Sequence, residues 1–197
     1  MLTHPTHPGA IQTTTMTMEA FSFKSRDIES KAINVVQGAW AVERERVLRT
    51  ILGSCVSVCL YDPVARIGGM NHYVFAPGTA QTYAAASGRT TMHGDICMEG
   101  LLNALLAKGA VKSRLRAKAF GAGAMFATKA GDMAPGKRNS SFAKYWLEQE
   151  GIVLELTDFH GAYARKLMFH PGTGQHLCQR VPTPFLPNDP AVIAMHK

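Results

Sequence analysis

The chain has 197 residues and a formal net charge of +7, and its apolar fraction is close to that of an average globular protein. These values indicate one domain with a sizeable core and exclude a wholly disordered chain. Because no apolar run is long enough to span a membrane and the first residues lack the pattern of a secretory signal, we expect a cytoplasmic protein. In that reducing compartment its four cysteines should be thiols.

The positive charge is compatible with nucleic acid, an anionic membrane surface or an acidic protein as partner. Basic residues are scattered, however, and segments such as Arg44-Glu45-Arg46 mix opposite signs. Since nucleic-acid-binding proteins usually cluster their basic residues on one surface, we expect no nucleic acid as partner.

Three regions are distinguished along the chain. Residues 1–25 are rich in Thr, Pro and His without hydrophobic periodicity, which predicts a flexible tail. Residues 182–197 are proline-rich and predict an extended C-terminal segment. Between them, residues 26–181 form a single domain, because no internal repeat or Gly/Ser-rich linker divides them.

Short strands and helices alternate through this domain. Hydrophobic patterning predicts strands at 47–52, 55–62, 115–120 and 152–157, and a hairpin of 166–169 with 176–180 around the turn His-Pro-Gly-Thr-Gly-Gln. In the second strand, Val56, Val58 and Leu60 alternate with Cys55, Ser57 and Cys59, so the two sets should face opposite sides of the sheet.

Two helices are predicted. The first runs from Asp95, as N-cap, to Lys108, and Gly109 stops it. Its apolar stripe consists of Met98, Leu101, Leu102 and Leu105. The second begins near Ser140 or Ser141 and stops at Gly151, with Phe142, Tyr145 and Trp146 on one face. Because strands outnumber helices, we predict an α/β layered sandwich of mixed, largely antiparallel β-sheet with flanking helices.

The segment from Thr50 to Phe75 places a cysteine and a histidine on two strands joined by a turn. Asp62-Pro63 is typical of the start of a type I turn. If Asp62 pairs with Ala65 in an antiparallel hairpin, Cys55 faces His72 with Cβ atoms about 4.5–5.5 Å apart. A one-residue slip would separate the two side chains, and the glycine pair at 68–69 could mark a bulge.

This proximity would matter chemically, because a free thiol is mostly protonated at neutral pH. His72 could take the proton of Cys55, and Thr50 is the nearest candidate to orient the imidazole. Gly53 would let a substrate backbone approach closely. Backbone N–H groups near Ser54 and Cys55 could receive an oxyanion.

The same residues are compatible with a purely structural role. A cysteine among valines often fills a core, and a histidine beside a strand is commonly a satisfied structural residue. Cys59, Cys97 and Cys178 resemble core thiols, and no C-x-x-C pair or histidine spacing indicates a metal site. The glycines at 121 and 123 lack the context of a phosphate-binding loop.

The segment Leu-Gly-Ser-Cys-Val-Ser-Val-Cys-Leu-Tyr-Asp-Pro-Val-Ala-Arg-Ile-Gly-Gly-Met-Asn-His, residues 52–72, resembles the signature of CheD, the chemoreceptor glutamine deamidase family. Weaker likenesses follow in the family's order at 93–99, 117–124, 136–139 and 158–165. Three places depart from the family pattern: His160 replaces one glycine of a pair, residues 121–124 carry an extra small residue, and Ala164 stands where glycine is usual.

The resemblance implies a deamidase that converts particular receptor glutamines to glutamate and ammonia, with Cys55 as nucleophile, His72 as base and Thr50 as third member. It implies a fold similar to the catalytic domain of cytotoxic necrotizing factors, no cofactor and no metal. The implied partners are methyl-accepting chemotaxis receptors and, in some members, a CheC-type phosphatase, with membrane contact only through the receptors. Two alternatives remain, namely a non-catalytic chemotaxis adaptor and another cysteine amidase or peptidase.

Overall fold

The computed structural model describes residues 26–77, 92–124 and 134–181. The regions predicted as a flexible tail (1–25) and a proline-rich extension (182–197) lie outside them. In chain order the elements are α1 (Arg26–Lys31), β1 (Ile33–Asn34), β2 (Ala39–Glu43), β3 (Leu48–Leu52), β4 (Val56–Asp62), β5 (Ile67–His72), α2 (Gly94–Ala107), a 3-10 turn (Lys112–Arg114), β6 (Arg116–Gly121), α3 (Pro135–Gln149), β7 (Val153–Phe159), β8 (Ala164–His170) and β9 (Gln175–Val181).

The strands form two mixed sheets, in agreement with the predicted layered sandwich. One sheet has the order β1-β3-β8-β9 and the other β2-β5-β4-β6-β7. Pairing is antiparallel except between β1 and β3 and between β6 and β7. In the described parts of the chain, no helix combines the length and apolar character needed to cross a bilayer.

The five-stranded sheet lies in the middle, and its strand β4 is buried along its whole length. Val56, Val58 and Leu60 belong to the core that this sheet shares with α2 and α3. Cys55 and Cys59 belong to the second core, against the four-stranded sheet. The alternation predicted from the sequence is therefore confirmed, and it directs Cys55 between the two sheets.

The helices differ from the prediction at their starts. α2 begins at Gly94 after His93, so Asp95 lies in its first turn and is not the N-cap. α3 begins at Pro135, five residues before Ser140, because proline is favourable at a first helical position. Tyr145 is 60% exposed and does not share the buried face of Trp146. Gly109 follows α2 with a φ of +94°, as expected of a residue that stops a helix.

The β4–β5 hairpin has a longer loop than predicted, because Asp62 pairs with Ile67 and not with Ala65. The carboxylate of Asp62 accepts hydrogen bonds from the N–H groups of Val64 and Ala65 within this loop. The register thus shifts by two residues, which leaves every side chain on its predicted face. The β4–β5 pairing continues through Gly68 and Gly69 without a bulge.

Candidate active site

Cys55 lies where the chain crosses from one sheet to the other. β3 ends at Leu52 in the four-stranded sheet and β4 begins at Val56 in the five-stranded sheet, so Gly53, Ser54 and Cys55 form the connection. The Cys55 side chain is 7% exposed. The predicted nucleophile is therefore at one end of the sandwich, close to solvent but nearly covered.

Thr50 and His72 meet across the two sheets. Thr50 is an inward residue of β3, which alternates buried and more exposed positions, and His72 is the last residue of β5. Both are nearly inaccessible, at 2% and 3% exposure. The Oγ1 atom of Thr50 lies 2.8 Å from Nδ1 of His72. The structure thus brings together the predicted base and its predicted orienting residue.

The hydrogen bonds of Thr50 define which nitrogen of His72 carries the proton. The hydroxyl donates its single proton to the carbonyl of Val35, at 2.8 Å. It must then accept from the imidazole, so Nδ1 carries hydrogen and Nε2 has a free lone pair. Nε2 is buried and has no hydrogen-bond partner among the described residues. This is the tautomer that a base acting through Nε2 requires.

Cys55 and His72 share a face but are not directly opposed, which corrects the predicted register. The bridge between Val56 and Tyr73 makes His72 a diagonal neighbour of Cys55. The expected hydrogen bond between them is not formed, since Nε2 of His72 has no partner in the described part of the chain. The longer turn at Asp62 is the reason for this two-residue offset.

Burial determines the charge state of both groups. It raises the pKa of the Cys55 thiol to about 11. Burial also lowers the pKa of His72 to about 4, an effect that the backbone carbonyl of Val35 partly opposes. Both shifts disfavour the charged forms. The free site therefore holds a neutral thiol and a neutral imidazole at pH 7, and not a thiolate–imidazolium pair.

Asn139 holds the Cys55 connection in place, a role that the sequence did not reveal. Its Nδ2 donates to the carbonyls of Ser54 and Val74, at 3.1 and 2.8 Å, and its Oδ1 accepts from the N–H of Ala76. It is 1% exposed and lies in the first half of α3. The motif Gly-Lys-Arg-Asn at 136–139 was the available signal, although it did not indicate a contact with residue 54.

The other carbonyls of the connection are also fixed. Gly53 O accepts from Gly123 N at 2.8 Å, and Cys55 O accepts from Ala122 N at 2.7 Å. Gly121 makes this approach possible, since a Cβ there would lie 2.2 Å from the carbonyl oxygen of Cys55. The main chain on both sides of the sulfur is thus held by β6 and the residues after it.

A cleft of about 360 Å³ reaches the Thr50–His72 pair from the surface. Its lining is Asn34, Val35, Val36, Gln37, Thr50, Ile51 and His72. Gln37 also contacts the thiol, with Nε2 3.9 Å from Sγ of Cys55. No sequence pattern indicated that Gln37 belongs to the site, because it lies in the turn between β1 and β2, two strands that were not predicted.

The cysteines other than Cys55 do not line this cleft, although Cys97 Sγ lies 3.9 Å from the backbone carbonyl of His72. All four cysteines are free thiols. Burial raises the pKa of Cys59, Cys97 and Cys178, the last two to about 12. Within the described ranges, no three His, Cys, Asp or Glu side chains converge as metal ligands would.

Comparisons with known proteins support the family that the motif at residues 52–72 resembles, and the family model matches a segment beyond that motif. The model of the family described as CheD chemotactic sensory transduction matches residues 76–180. A probable chemoreceptor glutamine deamidase CheD 2 of Dechloromonas aromatica (strain RCB) is 45% identical over 166 residues, which cover 84% of this chain and 83% of that protein. This chain belongs to the CheD family.

Further relatives carry the same kind of name. The probable chemoreceptor glutamine deamidase CheD 2 of Burkholderia thailandensis is 40% identical over 79% of this chain and 79% of that protein. The CheD protein of Zymomonas mobilis subsp. mobilis is 42% identical over 77% of this chain and 81% of that protein. Among solved structures, Bacillus licheniformis hypothetical protein YfiH gives a TM-score of 0.41 at 12% identity over 66% of this chain and 60% of that chain, a likeness too weak to indicate a shared fold.

Two departures from the CheD pattern fall at backbone positions that favour glycine. His160 has a φ of +68° and Ala122 a φ of +57°. Left-handed backbone costs a residue with a side chain about 1–2 kcal/mol. Both positions are tied to neighbouring strands, since His160 N donates to Gly121 O and Ala122 N to Cys55 O. The third departure, Ala164, lies in ordinary strand β8.

Proposed function

We propose that this CheD-family protein hydrolyses the side-chain amides of specific glutamines in methyl-accepting chemotaxis receptors, giving glutamate and ammonia. Its relatives are named as probable enzymes of this kind. The observation that carries the proposal is the Thr50–His72 hydrogen bond, which leaves Nε2 of His72 without a hydrogen-bond partner among the described residues, on the same face as Cys55.

In the first step, His72 Nε2 takes the proton of Cys55 as the sulfur attacks the carboxamide carbon of the substrate glutamine. Because both groups are neutral beforehand, this proton transfer accompanies the attack. The imidazolium that forms is stabilised by the Thr50 hydroxyl at Nδ1. In this mechanism the sulfur and Nε2, which lie on the same face at diagonal positions, come into hydrogen-bond contact in the substrate complex.

The negative oxygen of the tetrahedral intermediate needs hydrogen-bond donors. The carbonyls of Gly53 and Ser54 are bound by Gly123 N and Asn139 Nδ2. In a trans peptide the N–H points away from the preceding carbonyl. The N–H groups of Ser54 and Cys55 are therefore directed away from these partners, which supports them as the oxyanion donors.

The second half of the reaction releases the product. His72 returns the proton to the leaving nitrogen, the C–N bond breaks, and ammonia departs from a Cys55 thioester. Water then attacks the thioester with His72 as base, the C–S bond breaks, and glutamate leaves while the thiol regains its proton. The sequence of steps balances with water alone, so the proposal includes no cofactor and no metal.

The proposal also includes the cellular compartment, the binding partners and the fold family. A chemotaxis enzyme acting on receptor cytoplasmic regions belongs in the cytoplasm, touches the membrane only through receptors and can bind a CheC-type phosphatase. The net charge of +7 favours encounter with acidic helical receptors. Its two-sheet sandwich with flanking helices is compatible with the cytotoxic necrotizing factor catalytic fold expected from the resemblance. Its domain would span residues 26–181, with both terminal segments as additions.

The test is Cys55→Ala against Cys59→Ala. Both thiols face the same core, and Cys59 is fully buried in the middle of β4. With a receptor cytoplasmic fragment as substrate, Cys55→Ala should abolish ammonia release and the Gln-to-Glu mass change, whereas Cys59→Ala should retain both. Conversion of glutamine by Cys55→Ala at the wild-type rate would exclude Cys55 as nucleophile.

The non-catalytic adaptor is the second candidate, and the raised pKa of Cys55 is the observation that favours it. An adaptor would bind the receptor fragment with equal affinity in wild type and Cys55→Ala and would release no ammonia. A peptidase using the same pair would shorten the receptor fragment, which the same mass spectra would reveal.

A further inference from the structure

Gln37 lies on a tight turn attached to the backbone of His72. Ala39 N donates to Val36 O at 3.1 Å, and Gly38 has a φ of +75°, which are features of a type II turn with Gln37 in its second position. Gly38 N also donates to His72 O, at 2.7 Å. The main chain of residue 37 is therefore fixed relative to the site, and its side chain is the part that can move.

The side chain of Gln37 reaches from this exposed turn to the sulfur. Residue 37 as a whole is exposed, yet its Nε2 lies 3.9 Å from Sγ of Cys55, which is 7% exposed. Since Nε2 and the carboxamide carbon are joined by a bond of about 1.33 Å, that carbon lies within about 5.2 Å of the sulfur. A carboxamide of the protein is thus beside the atom that must attack a carboxamide of the substrate.

We propose that the Gln37 side chain occupies the carboxamide subsite in the free protein and that a receptor glutamine enters by displacing it. This inference rests on the proposed function and names the place where the substrate amide binds. The cleft that Gln37 lines also contains Thr50 and His72, and Gln37 itself contacts the sulfur of Cys55, so its side chain joins the cleft that holds the base to the nucleophile. A thiol is a weak hydrogen-bond acceptor, and an ordered glutamine side chain loses rotamer entropy, so little free energy opposes its displacement.

The experiment measures alkylation of Cys55 by iodoacetamide, quantified by peptide mass spectrometry so that the other three cysteines are scored separately. Gln37→Ala should alkylate at least about threefold faster than wild type, the ratio being the inverse of the fraction of time that the site is open. Gln37→Met keeps the length of the side chain and should remain close to wild type. The matched control is Gln149→Ala, the same chemical change at the far end of α3.

Equal alkylation of wild type and Gln37→Ala would overturn the proposal. So would alkylation of Gln37→Met as fast as that of Gln37→Ala, because the glutamine would then act on thiol reactivity and not by filling space.

Kinetics on the receptor fragment separate this inference from the proposed function. Gln37→Ala should lower KM by the same factor by which it raises the alkylation rate of Cys55, with kcat within about twofold of wild type. A higher KM would mean that Gln37 helps to bind substrate and would overturn the proposal. Faster alkylation of Gln37→Ala without ammonia release from any variant would refute the deamidase function. It would still show that the Gln37 side chain shields the Cys55 thiol.

Discussion

Thr50 Oγ1 lies 2.8 Å from Nδ1 of His72 and donates its own proton to the carbonyl of Val35. One hydroxyl thus links a strand of the four-stranded sheet to the last residue of a strand in the five-stranded sheet. The link fixes both the orientation and the tautomer of the imidazole, on which the proposed chemistry at Cys55 depends.

Replacing Thr50 by Val should lower kcat by between about 10- and 100-fold. This is part of the ~10²–10⁴-fold rate enhancement that a positioned general base contributes. The isosteric methyl group cannot accept from Nδ1–H, so the imidazole loses its orientation. Thr50→Ser keeps the hydroxyl and should restore most of the rate. If Thr50→Val and Thr50→Ser gave the same kcat and the same pH profile, the hydroxyl would have no part in positioning His72.

The raised pKa of Cys55 predicts the pH dependence of its alkylation in the free protein. With a pKa of about 11 the thiolate fraction, and hence the rate, should rise nearly tenfold per pH unit from pH 7 to 9. A preformed thiolate–imidazolium pair would instead give a rate almost independent of pH in this range. Iodoacetamide rates at Cys55, resolved by peptide mapping, distinguish the two.

The lowered pKa of His72 predicts a loss of stability in mild acid. Between the unfolded value of about 6.5 and the folded value of about 4, the unfolded chain binds the proton and the folded chain does not. His72 therefore makes its full contribution to the free energy of unfolding above pH 6.5. That contribution falls by roughly 2 kcal/mol between pH 7 and pH 5.

Urea unfolding of wild type and His72→Asn at these two pH values isolates this effect from that of other histidines. Between pH 7 and pH 5, the free energy of unfolding should fall by roughly 2 kcal/mol less in the variant than in wild type. Equal losses in both proteins would show that His72 does not change its proton affinity on folding.

Asn139→Ala should destabilise the protein by roughly 2–4 kcal/mol, because three buried backbone groups, Ser54 O, Val74 O and Ala76 N, lose a hydrogen-bond partner. It should also reduce kcat measured well below the melting temperature, since the Cys55 connection is no longer held. Ser140→Ala is the control in the same helix turn. It removes one bond, to Lys137 O, and should cost about 1 kcal/mol or less without an effect on kcat.

Gly121→Ala and Gly109→Ala separate backbone strain from a clash at the site. Both glycines have left-handed φ, +115° and +94°, so each substitution costs roughly 1–2 kcal/mol of strain. A Cβ at Gly109 meets no atom of the described residues within 4 Å, whereas at Gly121 it lies 2.2 Å from Cys55 O. Thermal unfolding should show the larger loss for Gly121→Ala, and kcat should fall in that variant alone.

Much of the site could be predicted from the sequence because its local periodicity is unambiguous. The alternation of valines and cysteines along β4 predicted that Cys55 lies on the face opposite Val56, Val58 and Leu60, and the structure confirms it. The error in turn length moved the register by two residues, an even number, so Cys55 and His72 stayed on one face. The helix starts were less predictable, since the first turn of α3 carries few apolar residues.

The sequence by itself determined which face of each strand is apolar, which cysteine is the candidate nucleophile and which family the chain resembles. These properties depend only on residue identities and on their spacing along the chain. Only the tertiary structure decided that Thr50 touches His72 across two sheets, that Asn139 binds the backbone of Ser54, and that Gln37 contacts Cys55. Such contacts join residues on different elements, and they also set the burial that keeps the thiol and the imidazole neutral, which no local pattern encodes.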